Sequence, residues 1–410
     1  MQADYQISIY LDTRRAKSNG LYPVKLRVYE TSTKKRKLYP TKFEFSESDF
    51  ASIWNTTKPK GEFKARRLEL QSLETHANSV AESIETFSFE ALERRLFRNK
   101  GDGVKLNYHY DKINEALTKS GRLGSASSYD LSRKSLIGFY PKFKDLTFSD
   151  VTVKFLNDYE SYMINKGSST TTVGVYLRAL RAIFNTAITE DEIKSSVYPF
   201  GKGKYQIPAS KGVKKALNNE QLKAMFKAKP KTPEQQKAKD FWFFSFMCNG
   251  MNFKDIAQLK HSDIKESELQ FVRAKTALTS KANQKTIVIH LNDFALSIIK
   301  KYGSKDLNSR SYVFNVLNSG LNDQEQRSRV QSFVRTTNQH MKKLCLANDL
   351  QVVSTYWARH SFATKIVRDG ASLELASESL GHSNLAVTQG YFAGFGDEVR
   401  REMSEGLMKF

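Results

Sequence analysis

Cysteine is nearly absent from this chain. Cys248 and Cys345 are the only two in 410 residues. They lie far apart, and neither has a histidine or a second cysteine at metal-ligand spacing. That excludes a disulfide framework and a zinc site, predicts no bound metal, and points to a reducing compartment. Nucleotide-binding loops are missing as well. Without GxxxxGK[ST] or GxGxxG, an enzyme built on this chain works without nucleotide, and no cofactor is expected. No long apolar run or signal-like start is present, so a membrane is not among the expected partners.

Positive charge is what the sequence has in excess. Its 65 Lys and Arg outnumber 43 Asp and Glu, for a net charge of +22. The surplus is spread along the chain, +6 over residues 1–100, +5 over 101–213 and +11 over 214–410. No single tail explains it, and an excess of this size suits a polyanion, with nucleic acid the leading candidate. An apolar fraction of 40 % is enough for real cores. The length is too great for one of them, so two or three domains are expected.

Residues 1–100 open with alternating segments. Tyr5 to Leu11, Tyr22 to Glu30 and Lys35 to Phe45 read as three short antiparallel strands separated by turn-forming runs. Val24, Leu26 and Val28 share one face of the middle strand. Lys25, Arg27 and Tyr29 share the other, a basic and aromatic surface that either lies in a DNA groove or is simply solvated. A helical stretch from about Phe63 to Phe97 follows, broken around Thr86 to Phe89, before the charged glycine-rich "RNKGDG".

The second domain, 104–198, has helical apolar spacing throughout. Val173, Tyr176, Leu180, Ile183, Phe184, Ala187 and Ile188 form one stripe, with Thr170 or Thr171 placed to cap the helix. Arg178 and Arg181 fall off that stripe, facing phosphates or solvent. Residues 199–215 combine two prolines, three glycines and a run of lysines that includes Lys202 and Lys204. They read as an extended basic strap without a packed interior.

The last domain, 216–410, begins with a helix capped by Asn218 or Asn219. "KDFWFFSFMCNGMNFKDIAQLK" reads as two packed helices around Gly250. Further on, a hairpin with Ile287, Ile289 and Leu291 on one face carries Lys275, Lys281 and Lys285 on its loop. "STYWARHSFATKIVRDG" is a helix that Ser354 or Thr355 caps and Gly370 ends.

The run "ARHSFAT" followed by "LGHSNLAVTQGY", with a Lys-Thr hairpin before them, resembles the tyrosine recombinase (phage integrase) family. The linker "FGKGKYQIP" and the segment "CNGMN" look most like integrases of conjugative and mobilizable elements in Bacteroidetes. The resemblance spans the chain and implies a multidomain, mainly α fold with small β parts. Its parts are an N-terminal three-stranded sheet plus helix that binds arm-type DNA, a helical SAM-like core-binding domain and a mixed α+β catalytic domain. It further implies site-specific recombination of double-stranded DNA at attachment sites, through a 3′-phosphotyrosyl intermediate that needs no ATP. The expected assembly is a homotetramer on DNA, in the bacterial cytoplasm at the nucleoid, with a host bending factor or an excisionase as further partners. A DNA invertase and a catalytically silent DNA-binding protein are the alternatives.

Matched residue by residue, the resemblance makes Tyr391 the nucleophile. A phenol ionises near pH ~10, so it needs neighbours that favour the phenolate or take its proton. Gly390 is expected to let the backbone turn sharply and aim the ring. Arg359 matches the second arginine, whose planar guanidinium binds two phosphate oxygens. His382 matches the histidine that donates to the same phosphate. His360 follows the pattern as a structural residue. Lys275 matches the hairpin lysine that protonates the leaving 5′ oxygen, with Lys281 and Lys285 as nearby rivals. At two places the chain departs from the pattern. Asn252 stands where the family has its first arginine, and Tyr356 where it has His or Lys. Arg273, two residues before Lys275, is a candidate to replace the missing guanidinium. In the tail, Val399, Met403 and Leu407 share a helical face that packs on a neighbouring protomer or on its own domain.

Overall fold

The computed structural model describes residues 5–84, 86–97, 102–209, 215–275, 285–382, 384–392, 401 and 404–405. It resolves into two compact units, Met1–Ser210 and Lys211–Phe410. The tail positions Val399, Met403 and Leu407, and Lys281 on the hairpin loop, lie outside the described residues.

The first unit holds two separate cores. Strands β1 (Tyr5–Leu11), β2 (Tyr22–Glu30) and β3 (Lys35–Phe45) form an antiparallel sheet in that order. Leu26 sits opposite Ile9 on one side and Tyr39 on the other. Val24, Leu26 and Val28 are buried with Ile9, Leu70, Ala77 and Leu92, as a strand with one wet face requires. The predicted helical stretch is divided: after the single turn α1 (Glu47–Phe50) come α2 (Glu62–Glu82) and α3 (Phe89–Leu96). Ser88 restarts the helix by accepting from the Ala91 amide.

The second core joins α4 (Leu106–Lys119), α5 (Leu123–Phe139), α6 (Val153–Asn165) and α7 (Thr170–Thr189). Ser169, not Thr170 or Thr171, caps α7, because its hydroxyl reaches the Thr172 amide at 3.2 Å. The expectation of an unpacked strap over 199–215 also fails in its first half. Phe200 and Tyr205 are each 4 % exposed within this core. Tyr205 donates to Glu160 at 2.6 Å, and Phe200 packs edge-on to Phe184. Two aromatics outweigh the glycines and lysines around them, because each brings a large apolar area to burial.

The second unit is built around α9 (Pro233–Met247). Phe241 and Phe244 face one core, Trp242, Phe243 and Phe246 another. A helix apolar on nearly every side must lie in the interior. Asn218 caps the preceding α8 (Asn219–Lys227) in a reciprocal box with Gln221. After α9 come α10 (Phe253–Gln258) and the antiparallel sheet β4 (Ile264–Lys265), β5 (Glu268–Val272) and β6 (Thr286–His290). Ile287 and Ile289 point inward from β6, with Leu291 just beyond it, as their alternation predicts. The helices α11 (Asp293–Tyr302), α12 (Asp323–Ala347), α13 (Thr355–Arg368), α14 (Leu373–Ser379) and α15 (Leu385–Tyr391) complete the unit. Trp242 donates its indole N–H to the Ser354 carbonyl at 3.0 Å, which ties the start of α13 to the central helix. Gly370, at φ +101°, ends α13.

Candidate active site

Two glycines let the site close. Gly250, in the turn between α9 and α10, has φ +64°, and a Cβ there would lie 2.7 Å from the Arg359 Cα. Its bare backbone therefore meets α13, and its carbonyl accepts from Arg359 Nη1 at 3.1 Å. Gly381, at φ +62°, abuts β6, where a Cβ would stand 2.4 Å from Ile287 Cδ1. Side chains rarely adopt such a φ and could not fit if they did. The turn that carries His382 is thus pressed onto the hairpin that carries Arg273.

Arg359 is the centre of the arrangement, 3 % exposed. Its Nη2 donates to the Leu380 carbonyl at 2.6 Å and to His382 Nε2 at 3.0 Å. Its Cζ lies 5.4 Å from the centroid of the Tyr391 ring. Its Nε is buried with no hydrogen-bond partner among the described residues. Burial, reinforced by the charge of Arg273, brings its pKa down to about 10, so it stays cationic at neutral pH.

Tyr391 lies between two imidazoles. The His360 ring is 4.6 Å away at 33° and the His382 ring 5.0 Å away at 31°. His360 Nδ1 is 3.2 Å from the Tyr391 carbonyl oxygen, which holds the backbone of Tyr391 in place. The Tyr356 hydroxyl donates to the Tyr391 hydroxyl at 3.0 Å. Tyr356 has its own ionisation pushed up by burial and then by Tyr391. Gly390 does not make the sharp turn expected of it. It continues α15, and a Cβ there would meet nothing within 4 Å; the flanking rings aim the phenol instead.

His382 is 4 % exposed. Burial, then the charges of Arg359, Arg273 and Lys275, push its pKa down to about 3. Because a guanidinium only donates, Nε2 is the acceptor and Nδ1 carries the proton, which goes to Thr388 Oγ1 at 2.9 Å.

Arg273 is also buried, with Nη1 3.4 Å from the Gly381 carbonyl. Asn252 stands at the start of α10, as its N-cap residue. Its amide is 3.5 Å from Asp255, whose other oxygen accepts from the Ala274 amide at 2.9 Å. Burial raises the Asp255 pKa while Arg273, Asn252 and Arg359 pull it down. The carboxylate braces the base of the hairpin and offsets part of the arginine charge. Lys275 is exposed on the hairpin beside this cluster, and Lys285 stands at its return. Asp255 and Thr388 were not singled out from the sequence. Asp255 had a legible signal, an acid one helical turn after Asn252; a lone threonine has none.

Six further basic residues expected to bind DNA belong to the first unit. Lys25 is paired to Asp12 at 2.6 Å, and Arg27, exposed, leans on Ser8 and Tyr10. Arg178 and Arg181 are exposed on α7, off its buried stripe. Lys202 is exposed, and Lys204 donates to the Tyr198 carbonyl at 2.5 Å.

A cationic pocket closed on a tyrosine is chemistry for a phosphodiester, and comparison with known proteins agrees. Residues 105–207 match the phage integrase SAM-like domain and residues 215–395 the phage integrase family. Together these spans take in more than half of the chain, which belongs to the phage integrase family of tyrosine recombinases. It is a site-specific recombinase, an enzyme that breaks and rejoins DNA strands. Tyrosine recombinase XerC of Natranaerobius thermophilus is 25 % identical over 267 residues, covering 62 % of this chain and 82 % of that protein. XerC of Bacillus pumilus is 27 % identical over 269 residues, covering 63 % and 80 %. Among solved structures, the Tn1549 transposon integrase in complex with a circular intermediate DNA has the same fold, with a TM-score of 0.52 at 16 % identity, over 74 % of this chain and 99 % of that one.

Proposed function

We propose that Tyr391 attacks the scissile phosphate, forming a 3′-phosphotyrosyl bond as the bond to the 5′ oxygen breaks, and that Lys275 protonates this leaving oxygen to give a 5′-hydroxyl. Arg359 and Arg273 bind the nonbridging oxygens as charge builds on them, and His382 donates a further hydrogen bond. Tyr356 steadies the phenol oxygen as it becomes a nucleophile, and Asn252 acts only through Asp255. One observation carries this reading: two buried arginines of like charge, one of them over the Tyr391 ring, lie close together with a partly compensating aspartate. Such a cluster is costly without an anion and suited to one that arrives with the substrate.

At the level of the whole chain, the protein acts in the bacterial cytoplasm as an integrase of a mobile element resembling those of Bacteroidetes. A tetramer holds two duplex sites, with the N-terminal sheet on arm-type DNA and Lys25, Arg27, Arg178, Arg181, Lys202, Lys204 and Lys281 along the phosphates. The three-domain division 1–100, 104–198 and 216–410 serves this clamp, with the aromatic first half of the strap joined to the middle domain. A plasmid assay tests the role. Joining of element ends to a target, or release of a circle, is expected; inversion between opposed sites as the sole product would make the chain an invertase instead.

A further inference from the structure

Thr388 is 1 % exposed, and its hydroxyl is bonded to the His382 imidazole. In the DNA-free site His382 has the wrong proton arrangement for its task. Nε2 accepts from Arg359 Nη2 at 3.0 Å, so the proton is on Nδ1. To donate to a phosphate oxygen from Nε2, the ring must lose the proton at Nδ1 to solvent water and gain one from solvent water at Nε2. Its net charge is then unchanged, and Nδ1 becomes an acceptor that needs a donor. A carbonyl or carboxylate in the place of Thr388 would only accept and would lock the first tautomer. A methyl group would serve neither. A hydroxyl serves both by turning about its C–O bond.

We propose that Thr388 is a positioning residue that switches the tautomer of His382. Its Oγ1 accepts from Nδ1 while Arg359 engages Nε2, then donates to Nδ1 once a phosphate claims Arg359, which leaves Nε2–H aimed at the phosphate. The proposal rests on the recombinase reading of His382. Burial among Arg359, Arg273 and Lys275 disfavours the alternative of a doubly protonated ring.

The test is single-turnover cleavage of a nicked duplex from the ends of the element that encodes the chain, with full-length protein. Thr388→Val, nearly isosteric, should slow cleavage by about 10- to 100-fold, as loss of a group that orients a histidine does elsewhere. Thr388→Ser should cleave at close to the wild-type rate. In a His382→Ala background, Thr388→Val should cost nothing further, because the group it acts through is gone. A loss that persists in that background would mean that Thr388 matters only for packing and would overturn the proposal, as would wild-type cleavage by Thr388→Val. Failure of the wild-type protein to cleave would instead remove the recombinase reading, and this inference with it.

Discussion

The hydroxyl of Tyr356 donates to the hydroxyl of Tyr391 across 3.0 Å. The partner of the Tyr391 phenol in this chain is thus a second phenol. Its own ionisation is raised by burial, so it remains a donor through neutral and mildly alkaline pH. A donor at that oxygen stabilises the phenolate as it forms, at the strength of an ordinary hydrogen bond. Tyr356→Phe should therefore slow single-turnover cleavage by up to ~10-fold without changing DNA affinity. Wild-type cleavage by Tyr356→Phe would show that the contact is incidental.

Arg273 and Asn252 should separate cleanly. Arg273→Ala removes a guanidinium from the charge-bearing site and should cost ~3 kcal/mol of transition-state stabilisation, roughly a hundredfold in rate. Asn252→Ala removes only a 3.5 Å contact to Asp255 and should change the rate by no more than several-fold. The reverse order would return the phosphate-binding role to position 252.

Gly250 and Gly390 make a second contrasting pair. An alanine at 250 would be strained at φ +64° and would press its Cβ into the backbone of α13. Gly250→Ala should destabilise the unit by at least ~1–3 kcal/mol in chemical denaturation. Gly390→Ala, in open space within a helix, should be neutral or stabilising by up to ~1 kcal/mol.

The depressed pKa of His382 has a consequence for stability. Its folded value, about 3, lies below the ordinary imidazole value. Below pH ~6.5 the unfolded chain binds a proton that the native chain refuses, so stability falls as the pH drops from there towards 3. His360 contributes in the same direction, and buried Asp255, with its raised pKa, in the opposite one. Melting temperatures should therefore fall more between about pH 7 and pH 5 for the wild type than for His382→Gln, a residue that does not titrate there. Equal shifts in the two proteins would contradict this.

Much of this architecture was legible in the sequence because its periods are plain. The alternation in β2 set Val24, Leu26 and Val28 inward, and the β6 pattern did the same for Ile287 and Ile289. What escaped has physical reasons. Phe200 and Tyr205 stand in a run whose glycines, prolines and lysines mask two aromatic anchors. Gly390 looked like a hinge because it precedes the tyrosine, but ring packing and the His360 contact orient Tyr391. The bond from His382 to Thr388 depends on how one turn meets α15, which no spacing rule specifies. Arg273 was visible as a candidate; its burial beside Arg359 came only from the way Gly381 meets the hairpin.

The central claim is that Tyr391 joins covalently to DNA. Wild-type and Tyr391→Phe protein, each mixed with nicked duplexes from the element's ends, would be resolved on denaturing and native gels. A protein–DNA adduct formed by the wild type and lost in Tyr391→Phe, with both proteins shifting the duplex on the native gel, is the predicted result. If neither forms an adduct while both shift the duplex, the chain is a silent DNA-binding relative and the account is wrong.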